Sequence, residues 1–254
     1  MLVSVLASGS QGKSTYVETS DLKLLIDLGM NTKYITEKLS ELGVNPDEIN
    51  CVIMTHTHSD HTGAIRVFIK KYHPQIVVTE GMLEDLDFLK DYDNLLITEG
   101  QVEYGKTVID PFKTSHDSID SRGYLIEDGE SSVVYMTDTG YLNQRYFDKL
   151  HDKNLYIMES NHDVEMLING TYPKQTKARI LSDHGHLSNN AAGFYLSKLI
   201  GPHTKKVILA HLSEANNTEE QAMHTVKKTL KEYEIEFDNI EIAKQKQKTE
   251  GYNV

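Results

Sequence analysis

The chain has 254 residues, 39% of them hydrophobic, with 26 basic against 38 acidic side chains and a formal net charge of −12. That length supports one sizeable core, and with only 5 prolines and no Gly- or Ser-rich linker the expected layout is one domain over 1–243 and a polar, loose tail over 244–254. No apolar run approaches the roughly 20 residues of a membrane helix, and the lone Cys51 excludes an intramolecular disulfide and fits a reducing, cytoplasmic setting.

Met1–Ser10 lacks the basic start and the apolar length of a secretory leader, so Val3–Ala7 reads as the first strand. The segment Ser8-Gly9-Ser10-Gln11-Gly12-Lys13-Ser14 ends like a phosphate-binding loop. Such a loop needs four residues between its glycines, whereas two separate Gly9 from Gly12, and a strand follows rather than a helix. A tight hairpin is expected, with Ser8 a candidate substrate contact. Further strands are predicted at Thr15–Glu18, Lys23–Asp27, Cys51–Thr55, Ile76–Thr79 and Thr107–Pro111, then at Gly123–Glu127, Val133–Thr137, Leu155–Glu159, Val207–His211 and Ile240–Ala243. Helices are predicted at Lys33–Leu42, Ala64–Tyr72, Leu83–Lys90, Leu142–Leu150, Lys174–Ser182, Asn189–Ile200 and Glu219–Tyr233. Ser188 is placed to cap the sixth of these, and Thr218 with Gln221 three residues on forms a capping-box pattern for the last. A strand-rich half repeated once, with helices between strands, is the layering of a mixed α/β sandwich.

The chemistry concentrates behind the apolar run Cys51-Val52-Ile53-Met54, in Thr55-His56-Thr57-His58-Ser59-Asp60-His61. Alternate side chains of extended backbone point the same way, so His56, His58 and Asp60 are expected on one side and His61 on another. Any one of the 12 histidines taken alone is a surface or core residue by default. Three within six residues beside an aspartate point instead to a metal, because neutral imidazole and carboxylate suit zinc, iron or manganese. Partners are expected where later strands end: His116, Asp138, whose two oxygens suit a bridging position, and His211.

This arrangement resembles the metallo-β-lactamase superfamily, whose H-x-H-x-D-H signature is followed by a lone His, a lone Asp and a final His. Within it the chain resembles YycJ/WalJ-type proteins through Ala7-Ser8-Gly9-Ser10, Thr137-Asp138-Thr139-Gly140-Tyr141, Glu159-Ser160-Asn161-His162-Asp163, Gly185-His186-Leu187-Ser188-Asn189 and Leu209-Ala210-His211-Leu212-Ser213. That family carries Asn where this chain has Lys13. The resemblance implies a four-layer αββα sandwich, two divalent ions (Zn or Mn, with Fe acceptable) on the seven ligands, and 5′ to 3′ exonuclease action on DNA. It also implies a hydroxide between the ions attacking phosphorus in line, with Asp60 steering it. His186 resembles the histidine that protonates the leaving oxygen, paired with Glu159, at the roughly 10²–10⁴-fold level of a general acid. His162, Ser8 and Ser188 are candidate substrate contacts; His184 has no motif support.

Alternatives follow from the same residues. Small phosphodiesters or cyclic nucleotides stand close, because a charge of −12 repels a polyanion. Lys174, Lys177 and Arg179, and Lys244, Lys246 and Lys248, are the basic runs that would offset it, although such runs are commonly solvated faces. Thioester or lactone hydrolysis uses the same hydroxide, but those relatives lack the paired Glu and His. A β-lactamase is disfavoured because Cys51 precedes the histidine motif, and a flavo-diiron redox protein because His58 stands where those carry a carboxylate. A non-enzymatic metal-dependent regulatory module is opposed by the intact ligand set.

Overall fold

Segments such as Lys23–Ile26, Cys51–Ile53 and Lys206–Ala210 carry apolar side chains at successive positions, the pattern of a strand covered on both faces. The computed structural model, which describes residues 1–254, shows why. One seven-stranded sheet takes β1 (Leu2–Ala7), β2 (Ser14–Glu18), β3 (Lys23–Ile26), β4 (Cys51–Ile53), β5 (Gln75–Val78) and β6 (Leu95–Ile97). The other takes β7 (Val102–Tyr104), β8 (Thr107–Lys113), β9 (Arg122–Asp128), β10 (Ser131–Met136), β11 (Leu155–Glu159), β12 (Lys206–Ala210) and β13 (Ile240–Ile242). The chain then returns to the first sheet, where β14 (Tyr252–Asn253) pairs antiparallel with β1. Pairing is antiparallel from β1 to β3 and from β7 to β10, and parallel from β3 to β6 and from β10 to β13.

The helices are α1 (Thr32–Glu41), α2 (Ser59–Thr62), α3 (Ile65–Tyr72), α4 (Phe147–Leu150), α5 (Val164–Asn169), α6 (Lys174–Ile180), α7 (Asn189–Leu199) and α8 (Glu219–Glu232). Strand alternation sorts the core into three layers of contact. Leu24, Ile26, Cys51, Ile53, Leu155 and Ile208 meet between the sheets. Leu25 and Val52 face away, onto Ile35 and Leu39 of α1 and Phe68 of α3. Tyr156, Met158 and Leu209 do the same on the other side, against Leu196 of α7 and Val226 of α8. This is the expected four-layer αββα sandwich.

Several local expectations are corrected. The histidine motif is not extended throughout: His58 caps α2, and the His61 and Thr62 amides both donate to His58 O, so Asp60 and His61 ride on a helical turn. Leu83–Lys90 forms two 3-10 turns, Gly81–Glu84 and Asp87–Asp91, because Leu86 leaves helical geometry between them and is buried. Leu142–Leu150 contributes only a 3-10 turn, Gln144–Tyr146, running into the short α4. The short edge strands β6 and β7 and the helix α5 were not expected; Asp163 caps α5, its side chain accepting from Met166 N. The closing segment is not loose. Thr249 exchanges backbone and side-chain hydrogen bonds with Ser4 and Val5, and β14 extends the sheet.

Candidate active site

The parallel strands of both sheets deliver their C-terminal ends to one edge of the sandwich, the usual location of a site in sheets of this kind. Three residues just past those ends, Asp27 after β3, Asp138 after β10 and His211 after β12, hold φ near +60° (61°, 57° and 57°), a left-handed conformation that only glycine adopts freely. Each such residue costs of order 1–3 kcal/mol and persists because its surroundings over-determine it. All three converge on the same cluster of side chains.

His56, His58 and His116 form its first part. His56 Nε2 lies 3.1 Å from His58 Nδ1, and the His116 ring centroid is 5.0 Å and 5.1 Å from theirs. A tetrahedral ion with bonds of about 2.0–2.1 Å holds its nitrogens about 3.3 Å apart, so these imidazoles fit a divalent metal. The outer nitrogens of two of the three are fixed as such sites require: Thr55 Oγ1 is 3.1 Å from His56 Nδ1, and His116 Nδ1 is 3.2 Å from Gly185 O. Burial, the largest cause in each case, lowers the pKa of His56 and His116, keeping them in the neutral form a metal binds. Asp138 lies between this group and His61, with Oδ1 4.0 Å from His116 Nε2 and Oδ2 3.4 Å from His61 Nε2.

The second part gathers Asp60, His61 and Asp138, and here the ammonium of Lys13 sits at the centre. Its Nζ is 2.6 Å from Asp60 Oδ2, 3.1 Å from His61 Nε2 and 3.3 Å from Asp138 Oδ1, and the side chain is 1% exposed. Burial alone would lower its pKa, but Asp138 and Asp60 more than offset this and the ammonium is held charged. Burial likewise pushes Asp60 up, and Lys13, then His61, bring its carboxyl below the usual value. His61 is oriented by Asp27, whose Oδ2 is 2.7 Å from Nδ1, and by Thr55 Oγ1 at 3.0 Å. Neither Lys13 nor Asp27 was expected in the site. The available signals were weak: a lysine where a strand begins to bury, and an aspartate closing an apolar run.

Glu159, at the end of β11, joins the remaining residues. Its Oε1 accepts from His186 Nδ1 at 2.9 Å and from His211 Nδ1 at 2.7 Å, while Oε2 accepts from the Thr139 and Leu187 amides. Burial would raise its pKa, but His186 and His211 depress it strongly; burial would lower that of His186, and Glu159 raises it. The pair opens on a cleft of about 370 Å³ lined by Ser10, Tyr172, Arg179, His186 and His211 among others. The substrate contacts expected from the sequence are placed differently. Ser8 is buried and accepts the His211 amide at 2.7 Å, so it positions the loop that carries His211. Ser188 Oγ caps α7 through the Ala191 amide. His162 is 1% exposed with both ring nitrogens unpartnered, its pKa lowered to about 4 chiefly by burial. Among the basic candidates, Lys177 donates to Ile168 O and Gly170 O, and Arg179 grips Asp117. His184 is exposed, 3.2 Å from Ser115 Oγ.

A family model described as a β-lactamase superfamily domain matches residues 24–212. An exodeoxyribonuclease WalJ of Streptococcus pneumoniae is 36% identical over 239 residues, covering 91% of this chain and 89% of that protein. An exodeoxyribonuclease YycJ of Bacillus anthracis is 35% identical over 234 residues, covering 90% and 89%. The crystal structure of the metallo-β-lactamase fold protein YhfI from Bacillus subtilis superposes with a TM-score of 0.72 over 98% of each chain at 18% identity, a likeness of fold. Identity above a third along nine-tenths of the chain, with the family model spanning residues 24–212, goes beyond shared architecture, and the chain belongs to the metallo-β-lactamase superfamily, among its WalJ/YycJ-type members.

Proposed function

We propose that this protein is a metal-dependent nuclease that removes nucleotides from DNA ends, in the 5′ to 3′ direction implied by the resemblance. The observation that carries the reading is the placement of the Glu159-bound His186, which lines the cleft, directly beside the imidazoles of His56, His58 and His116, its ring centroid 5.1 Å from that of His116. The names of the two near-full-length relatives support DNA as substrate.

A divalent ion on those three imidazoles, zinc or manganese by donor type, supplies Lewis acidity toward a phosphoryl oxygen and brings the ionisation of water toward neutral pH. Asp60, whose carboxylate is 23% exposed while its partner Lys13 is buried, orients the attacking water. Glu159 fixes His186 through Nδ1 and leaves Nε2 to pass a proton to the departing oxygen. Arg179, held by Asp117 at the rim, meets the substrate backbone.

The test is a time course on DNA labelled at either end, with added Mn²⁺ or Zn²⁺. Mononucleotides released from the 5′ end are expected. Hydrolysis of bis-p-nitrophenyl phosphate or cyclic nucleotides with no cleavage of DNA would replace this reading with a small-phosphodiester one. Thioester hydrolysis indifferent to His186→Ala would replace it with an acyl hydrolase.

A further inference from the structure

The carboxylates of Asp60 and Asp138 and the imidazole of His61 converge on a single point, a donor set that by its chemistry attracts a cation. That point is filled by this chain's own ammonium. Lys13 Nζ lies 2.6, 3.3 and 3.1 Å from Asp60 Oδ2, Asp138 Oδ1 and His61 Nε2, donating a hydrogen bond to Asp60 and forming ion pairs with both carboxylates. We propose that Lys13 is a built-in replacement for a second metal ion, and that the protein works with one divalent ion, at His56, His58 and His116, rather than the two that the resemblance implies. The inference rests on the reading above only for the presence of that one ion.

Three observations hold the ammonium in place. Its side chain is 1% exposed, in the middle of the site rather than at its rim. Its backbone is bonded on both sides: the Lys13 amide donates to Asp60 O at 2.8 Å, and Lys13 O accepts from the Gly29 amide at 2.8 Å. Gly12 before it has φ +155°, and a Cβ there would fall 2.7 Å from Gly29 C and Met30 N, so the turn that aims the side chain inward has no slack. A metal ion needs the same donor atoms at about 2.0–2.2 Å, leaving no room for Nζ between them. The two cations are therefore mutually exclusive. A buried ammonium between the carboxylates neutralises them but offers no metal coordination position for a substrate oxygen, so Lys13 is a positioning residue and the reacting atoms belong to the imidazole side.

Native mass spectrometry after loading with Mn²⁺ or Zn²⁺ counts the ions. One per chain is expected for the wild type, none for His116→Ala, and two for Lys13→Asn, with circular dichroism checking that each variant is folded. Electron paramagnetic resonance gives an independent readout: isolated Mn²⁺ in the wild type, an exchange-coupled pair in Lys13→Asn. If Lys13→Asn fails to fold, the wild-type count and anomalous scattering from wild-type crystals decide alone, one peak beside the three imidazoles being expected. Two ions in the wild type, or a single ion in folded Lys13→Asn, overturn the role given to Lys13 while leaving the hydrolase reading intact. No ion in the wild type overturns both.

Discussion

Glu159 serves two histidines with one oxygen, and its other oxygen is saturated by two backbone amides. Glutamine in its place presents an amide N–H to one of those partners, turning an acceptor into a clash. Glu159→Gln is therefore expected to lower kcat on DNA by about 10²-fold or more, and His186→Ala by about 10²–10⁴-fold, in steady-state assays. On bis-p-nitrophenyl phosphate, whose leaving group needs little protonation, the His186→Ala loss should shrink to about tenfold or less; an equal loss on both substrates would remove the proton-donor role. At this scale the site was partly legible. His56, His58, Asp60 and His61 announce themselves because they are close in sequence, and His116, Asp138 and His211 because each lies at or after the end of a predicted strand. Lys13 has no such signal, and Asp27, though it closes an apolar run, has no motif around it. Each acquires its role only when separate strands bring a buried cation and a buried carboxylate against His61.

At the scale of elements, strands covered on both faces were readable from their unbroken apolar runs, and the caps of α7 and α8 fall at Ser188 and Thr218 as their side chains dictate. The helical turn in the histidine motif was not, since alternation of residue type mimics a strand while the backbone closes on His58 O. The expected helix at Leu83–Lys90 failed for a related reason: its apolar positions are spaced for a helix, but burial of Leu86 breaks the run into turns. β4 carries a consequence for pH. Burial between the sheets is the main cause that pushes the Cys51 thiol from 9.0 up to about 12. A group whose folded pKa is raised contributes stability that is complete below its unfolded pKa and lost as pH rises through the folded one. Stability should therefore fall between about pH 9 and 12, by no more than about 1.4 kcal/mol per pH unit from this residue. Urea titrations of wild type and Cys51→Ala across that window should converge as pH rises. Below it, native Cys51 should resist thiol reagents that label the unfolded chain.

The molecule as a whole is closed by its last residues. Thr249 bonds to Ser4 and Val5, Gln245 to Leu212 O beyond the β12 end, and β14 covers the open side of β1. Ending the chain at Ala243 is expected to lower the melting temperature and to promote aggregation through the bared β1 edge, measured by thermal scanning and light scattering. An unchanged melting temperature would restore the view of 244–254 as an appendage. Polar composition hid this role, because the tail binds mainly through backbone groups and the side chains of Gln245 and Thr249, and its two apolar contacts, Tyr252 and Val254, come only at the end of a polar run. A second whole-molecule expectation concerns metal removal. Lys13 already compensates Asp60 and Asp138 within the core, so stripping with a chelator should leave far-UV circular dichroism unchanged, shift the melting temperature only modestly, and be reversed by one equivalent of Mn²⁺ or Zn²⁺. On the proposed single-ion reading, the fixed ammonium would separate shaping of the polypeptide from its metallation, so that newly made chains would reach their final form during scarcity and wait intact for the ion that switches them on.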